Sequence, residues 1–111
     1  MTIDMARNLI DLSISEAEFR EMAIDAAKKL GWRCYFTWAS IHSPKGFPDL
    51  VLCKPPRLIF AELKSQKGRI TPAQQGWLDD LRACPHAEVH LWQPSRWPEI
   101  IKVLLGETNA D

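Results

Sequence analysis

The chain has 111 residues, 46% hydrophobic and 25% charged, a size and composition expected of one compact domain over 1–111 with its core at about 16–101. No apolar run approaches the ~20 residues of a membrane helix, the opening MTIDMARNLIDLSIS shows no secretory pattern, and Cys34, Cys53 and Cys84 are too few and too scattered for a disulfide framework or a zinc knuckle, so a reducing cytoplasm is expected. Fourteen basic residues balance 14 acidic ones, which argues mildly against a tight, non-specific grip on a polyanion.

Residues 1–13 have no clear periodicity and read as a loose arm or short helix. A helix is predicted from Glu16 to Leu30, with Phe19, Met22, Ala23, Ala26 and Leu30 on one face. Ser15 is placed to cap it, with Glu18 as the matching capping-box acid, and Gly31 stops it. The aromatic run Trp32 to Trp38 reads as a first strand, and Ala39 to Pro48 as a loop punctuated by Pro44, Gly46 and Pro48. Asp49 to Cys53 and Leu58 to Lys64 read as two strands joined by a tight turn, because Pro55 and Pro56 cannot continue a central strand. Cys53, inside the apolar run, reads as a small core residue.

After a polar loop, Thr71 and Pro72 open a second helix with Gln74, Trp77, Leu78 and Leu81 along one face. Ala87 to Trp92 reads as a fourth strand, Pro94 to Trp97 as a turn, and Pro98 to Leu105 as a short final helix. The order αβββαβα implies an α/β fold, a mixed sheet flanked by helices.

The double-proline turn concentrates the chemistry. If it is symmetric about the Pro55–Pro56 bond, Asp49 lies directly opposite Glu62 on the neighbouring strand. Opposed residues have Cβ atoms ~5 Å apart, and like charges so placed destabilise a sheet. Two such carboxylates need a shared proton or a cation between them. Lys64, two residues past Glu62, falls on the same face. A hard divalent ion suits carboxylate and carbonyl oxygens, and the Leu63 carbonyl is a plausible further ligand. Two acids, a lysine and such an ion are what phosphodiester hydrolysis requires. A lone Glu-X-Lys is common by chance; the Pro48-Asp49 pair, the register and the apolar flanks LVLC and LIFA make this one specific.

Pro48-Asp49 followed by Glu62-Leu63-Lys64 resembles the PD-(D/E)XK nuclease superfamily. The stretches LGWRCYFTW, KGFPDLVLCKPPRLIFAELKSQKGRITPAQQGWLDDLRA and VHLWQPSRWPEI are similar to its VRR-NUC (virus-type replication–repair nuclease) family. The resemblance implies a restriction-endonuclease-like αβββαβ core and a metal-dependent deoxyribonuclease acting on branched or junction DNA in replication, repair or recombination, in a bacterial or phage-infected cell. It implies that Asp49 and Glu62 bind Mg²⁺ or Mn²⁺ and that Lys64 is the catalytic lysine. It implies an acid on the first helix, read as Glu18 with Glu21 as the rival, although Glu18 is also the capping partner of Ser15. It implies that Gln74 holds a metal-bound water or a phosphate, and that the chain acts as a homodimer. One departure stands out: Gln93 occupies a position after the fourth strand where relatives often carry arginine, so that arginine's contact is either missing or supplied by Arg96. The alternative reading is a catalytically silent nucleic-acid-binding module with the same fold.

Lys45, Lys67 and Arg69 are candidate DNA-backbone contacts beside the site. Cys84, His86 and His90 offer too few ligands for a zinc site, and His42 reads as an exposed loop residue. Trp32, Trp77 and Trp92 read as core, whereas Trp38 and Trp97 are candidates for a dimer interface.

Overall fold

The computed structural model describes residues 10–37 and 41–107. The elements are α1 (Glu16–Lys29), β1 (Arg33–Phe36), β2 (Leu50–Lys54), β3 (Arg57–Leu63), α2 (Pro72–Arg82), β4 (Ala87–Trp92), a 3-10 turn (Pro94–Arg96) and α3 (Trp97–Leu105). The four strands form one sheet in the order β1-β2-β3-β4. β1, β2 and β3 run antiparallel in sequence, and β4 returns parallel to β3 after the α2 crossover. This is the mixed sheet flanked by helices that the sequence predicts.

Strand alternation sorts the sheet into two faces. Leu50, Leu52, Ile59, Ala61 and Leu63 point to one face and are fully buried against Phe19, Ala23 and Ala27 of α1 and Ile100, Ile101 and Leu104 of α3. Each of these side chains removes apolar surface from water worth about 1.5–3 kcal/mol for the larger ones. The alternate residues Val51, Phe60 and Glu62 look to the second face, where α2 touches the sheet through Gln74 and Trp77.

The β2–β3 hairpin has the predicted register. Lys54 pairs with Arg57 and Leu50 with Ala61, so the symmetric turn extends the pairing to Asp49 opposite Glu62. α1 ends as expected: Leu30 is its C-cap and Gly31 follows at φ +93°, the left-handed conformation glycine adopts without strain.

Several expectations are corrected. Trp97, a candidate interface residue, is 2% exposed and packs edge-on against Phe19 with ring centroids 6.4 Å apart. The 3-10 turn starts the last helix one residue early and rotates that indole inward. Cys53 is only half-buried, because alternation places it on the second face with Val51. Trp77 is half-buried on that same face, beside Phe47, rather than in the main core. β1 is shorter than predicted: Trp32 lies just before it, buried, with its indole N–H donating to the Leu104 carbonyl at 3.0 Å. Trp38 lies outside the described residues.

Candidate active site

The hairpin delivers Asp49 and Glu62 to the second face at the same end of the sheet. Asp49 precedes β2, and its carboxylate accepts the backbone N–H of Leu63 at 3.1 Å. This bond fixes the Asp49 side chain across the strand pair. Pro48, wholly buried, sets the entry of the chain into that position.

Glu62 is 1% exposed and is the only charged side chain fully buried among the described residues. One carboxylate oxygen, Oε2, accepts the Gln74 amide at 3.1 Å and lies 3.9 Å from the Lys64 ammonium. The other, Oε1, is buried with no hydrogen-bond partner. An ionised carboxylate in that state is costly. Burial first, and then the facing Asp49 charge, push the Glu62 carboxyl up to about 8, against the pull of Lys64. Glu62 therefore keeps its proton near neutrality unless a cation takes its place.

Gln74 is placed by its own helix. Thr71 caps α2, its hydroxyl accepting the Gln74 N–H at 3.1 Å, while the Gln74 side-chain carbonyl accepts the Thr71 N–H at 2.8 Å. That capping box uses the oxygen of the amide and leaves its nitrogen to reach Glu62. One glutamine thus ties the start of α2 to the buried acid.

The structure brings Asp49, Glu62, Leu63, Lys64 and Gln74 together. It does not bring Glu18 to them. The Glu18 carboxylate accepts the Ser15 hydroxyl at 2.9 Å in the helix cap and is exposed, so the capping role prevails. The helix-one acid whose charge bears on Glu62 is Glu16, which neither sequence candidate anticipated. Its signal was present: Glu16 is three residues before the buried Phe19, on the same helix face, at the end of α1 that carries the cap. Glu16 also pairs with Arg20 at 3.3 Å.

Gln93, where an arginine was expected, has a structural task. Its amide donates to the carbonyls of Ser65, Gln66 and Gly68 at 3.2–3.5 Å, and Gln66 exchanges hydrogen bonds with Ser95. The loop that follows Lys64 is thereby stitched to the end of β4. Arg96 is engaged with Glu99 at 3.0 Å. Lys45, Lys67 and Arg69 are exposed and have no acidic partner among the described residues, whereas Arg20, Lys29, Arg57, Arg82 and Arg96 each pair with an acid.

The donor set fits a hard cation. Among the described residues no three His, Cys, Asp or Glu side chains meet as a metal-binding cluster. The site instead offers two facing carboxylates and a buried Glu62 oxygen without a partner, a set that suits an ion which keeps several waters. Cys84, His86 and His90 form no cluster either; His90 stacks on Trp92, ring centroids 5.4 Å apart.

No curated protein sequence matches the chain. Two solved structures share its fold. One, described as a "VRR_NUC domain protein", superposes with a TM-score of 0.67 at 16% identity, over 89% of this chain and 94% of that one. The other, described as a "VRR_NUC domain", gives 0.65 at 21% identity, over 85% and 97%. The VRR-NUC domain family matches residues 7–91. The match takes in the hairpin, Asp49, Glu62, Lys64 and Gln74, and the chain belongs to the VRR-NUC family.

Proposed function

We propose that the protein is a divalent-metal-dependent endonuclease that hydrolyses DNA phosphodiester bonds, with a preference for branched structures met in replication, repair or recombination. The observation that carries this reading is Glu62, buried with an unpartnered oxygen, opposite Asp49 and beside Lys64. A fold has no structural use for such a pair of acids, whereas a cation site has.

Asp49, Glu62 and the Leu63 carbonyl are the residues that would hold Mg²⁺ or Mn²⁺, with Glu16 rather than Glu18 as the acid from α1. Such an ion, when bound, supplies Lewis-acid polarisation of the phosphoryl oxygen and a more acidic water. The protein's own groups do the rest. The Leu63 N–H holds Asp49 at a fixed angle. Gln74 holds Glu62 by one oxygen and leaves the other free to face the cation. The Lys64 ammonium, 13% exposed, sits where it offsets charge that builds on a phosphate. Lys67 and Arg69, on the loop that leaves Lys64, are free to hold the DNA backbone. A symmetric dimer would present two such sites to the two strands of a junction.

The test is a cleavage panel of junction, flap, fork, duplex and single-stranded DNA, each with and without Mg²⁺ or Mn²⁺. Metal-dependent nicking of branched substrates by the wild-type protein, lost in Lys64→Ala with the fold intact, is the expected result. Undiminished cutting by Lys64→Ala removes that residue from the mechanism. Binding without cutting on every substrate indicates a silent binding module instead.

A further inference from the structure

The second face of the sheet is only half covered. α2 lies over its β3 side, where Gln74 reaches Glu62 and Trp77 meets Phe47. Among the described residues nothing covers the β1 side. Along β1, alternation puts Arg33, Tyr35 and Thr37 on this face, and all three are exposed; Tyr35 is 64% exposed. Between β1, the loop before Pro48 and α2 lies a groove of about 730 Å³. Its walls include Tyr35, Phe47 and Trp77, and among the described residues its one charged lining residue is Lys45.

The groove is a built feature continuous with the acids. The Thr37 N–H donates to the Asp49 carbonyl at 3.2 Å, so the end of β1 is fixed against the first site residue. Phe47, two residues before Asp49, is wedged edge-on between Phe60 and Trp77 at centroid distances of 6.0 and 5.0 Å. Gly46 has φ +95°, and a Cβ there would lie 2.6 Å from the Ala73 backbone. The loop wall is thus seated directly on the first turn of α2, the same turn that presents Gln74 to Glu62.

We infer that this groove holds an unpaired nucleotide next to the scissile phosphate, with its base stacked on Tyr35 and its backbone phosphate at Lys45. The inference rests on the nuclease reading and sharpens its substrate. Aromatic walls with one cation and no acid among the described lining residues have the chemistry of single-strand binding, in which a π-face takes any base and a cation takes the phosphate. Arg33, one step along the same strand face, has no acidic partner among the described residues and extends the positive track. A second copy of the chain is the competing occupant. A second copy would bring its own Lys45 and Arg33 to a face that offers no acid among its described lining residues, and such uncompensated like charge opposes association.

The experiment measures binding without relying on cleavage. Fluorescein-labelled oligo(dT), the same duplex with and without a single-stranded flap, and blunt duplex are titrated by anisotropy with the wild-type protein, Tyr35→Ala, Tyr35→Phe and Lys45→Ala, in Ca²⁺. Tyr35→Ala is expected to weaken oligo(dT) and flap binding by about 5- to 150-fold, the range for loss of one stacked base, and blunt-duplex binding by less than about twofold, since a paired base has no access to the ring. Tyr35→Phe is expected to retain wild-type binding, because stacking needs the ring and not its hydroxyl. Lys45→Ala is expected to lower the salt slope by about one. Unchanged single-strand binding by Tyr35→Ala, an equal loss on flap and blunt duplex, or a wild-type dimer that Tyr35→Ala turns into a monomer in sedimentation overturns the inference. If the wild-type protein binds oligo(dT) through Tyr35 but cuts nothing with any metal, the nuclease reading falls and the groove stands; if it cuts branched DNA but Tyr35→Ala binds normally, the reverse holds.

Discussion

The two ends of β3 deal with a buried charge in opposite ways. At its start, Arg57 donates to both oxygens of Glu88 at 2.6 and 2.8 Å, donates to the Val103 carbonyl at 2.8 Å, and lies 4.9 Å over the Trp32 ring. All three guanidinium nitrogens and both Glu88 carboxylate oxygens have a partner there, and hydrogen bonding to Arg57 holds the Glu88 carboxyl below its ordinary value. At the far end of the same strand, Glu62 is more deeply buried, faces another acid, and has one oxygen with no partner. Its carboxyl is pushed up to about 8. One end is closed and joins β3, β4 and the end of α3; the other is held open at a cost in stability. Five positions along one strand therefore separate a structural ion pair from the buried acid of the proposed cation site.

The contrast is sharpened most by substitutions that should separate activity from stability. Lys64→Ala is expected to reduce metal-dependent cleavage by about 100- to 1000-fold, the scale for removing one preorganised charge-stabilising group, while circular dichroism and thermal melting stay near wild type. Arg57→Ala should do the reverse. It strips the closed end of its guanidinium and is expected to destabilise the fold by about 2–3 kcal/mol in urea melts, the scale for hydrogen bonds to a charged group, with cleavage at a temperature well below its melting point unchanged. An Arg57→Ala protein that is as stable as wild type and inactive would invert the roles of the two ends.

The two ends should also answer pH with opposite sign when no metal is present. Glu62 keeps its proton in the fold up to about 8 but loses it near 4.5 when unfolded, so the native state binds more protons between those values and stability falls as pH rises through that window. Glu88 is lowered in the fold, so its contribution is present above its unfolded value and is lost as pH falls through its folded one. Melting temperatures in EDTA should therefore peak near the ordinary glutamate value of 4.5 and decline toward pH 8, and Glu62→Gln should remove the alkaline decline. A decline that persists in Glu62→Gln would assign it to another group. The smallest effect is expected at the junction of helix and site. Gln74→Ala should cost about 0.5–1 kcal/mol through the lost half of the capping box and lower cleavage by about tenfold, since Glu62 loses its one neutral hydrogen-bond donor. Cleavage equal to wild type would reduce Gln74 to a helix cap.

How much of this was legible in the sequence depends on how local each feature is. The hairpin register follows from two prolines and the alternation on either side, so the meeting of Asp49 and Glu62 could be read directly. Alternation from Asp49 also places Cys53 on the site face, which the apolar character of its neighbours hid. The choice among Glu16, Glu18 and Glu21 could not be made from helix phase alone, because it depends on how α1 is tilted against the sheet. Ser15 takes Glu18 for the cap, and the α1 acid whose charge reaches Glu62 is Glu16. The Arg57–Glu88 pair joins residues 31 apart through a parallel pairing whose register no turn dictates. Trp97 was misplaced for a similar reason: a 3-10 turn of three residues sets the phase of the last helix, and a shift of one residue moves an indole from surface to core. The charge balance misled most. Zero net charge conceals that acids elsewhere are spent in ion pairs while Lys45, Lys67 and Arg69 have no acidic partner among the described residues.

The proposed cation would displace the proton that the buried Glu62 carboxyl holds. Titration calorimetry of Mn²⁺ and Mg²⁺ into the protein at pH 7, repeated in buffers of different ionisation heat, counts that proton. Saturable one-site binding with release of about one proton, lost in Glu62→Gln, is the predicted result. Binding of neither ion, or binding with no proton released and undiminished in Glu62→Gln, would contradict it.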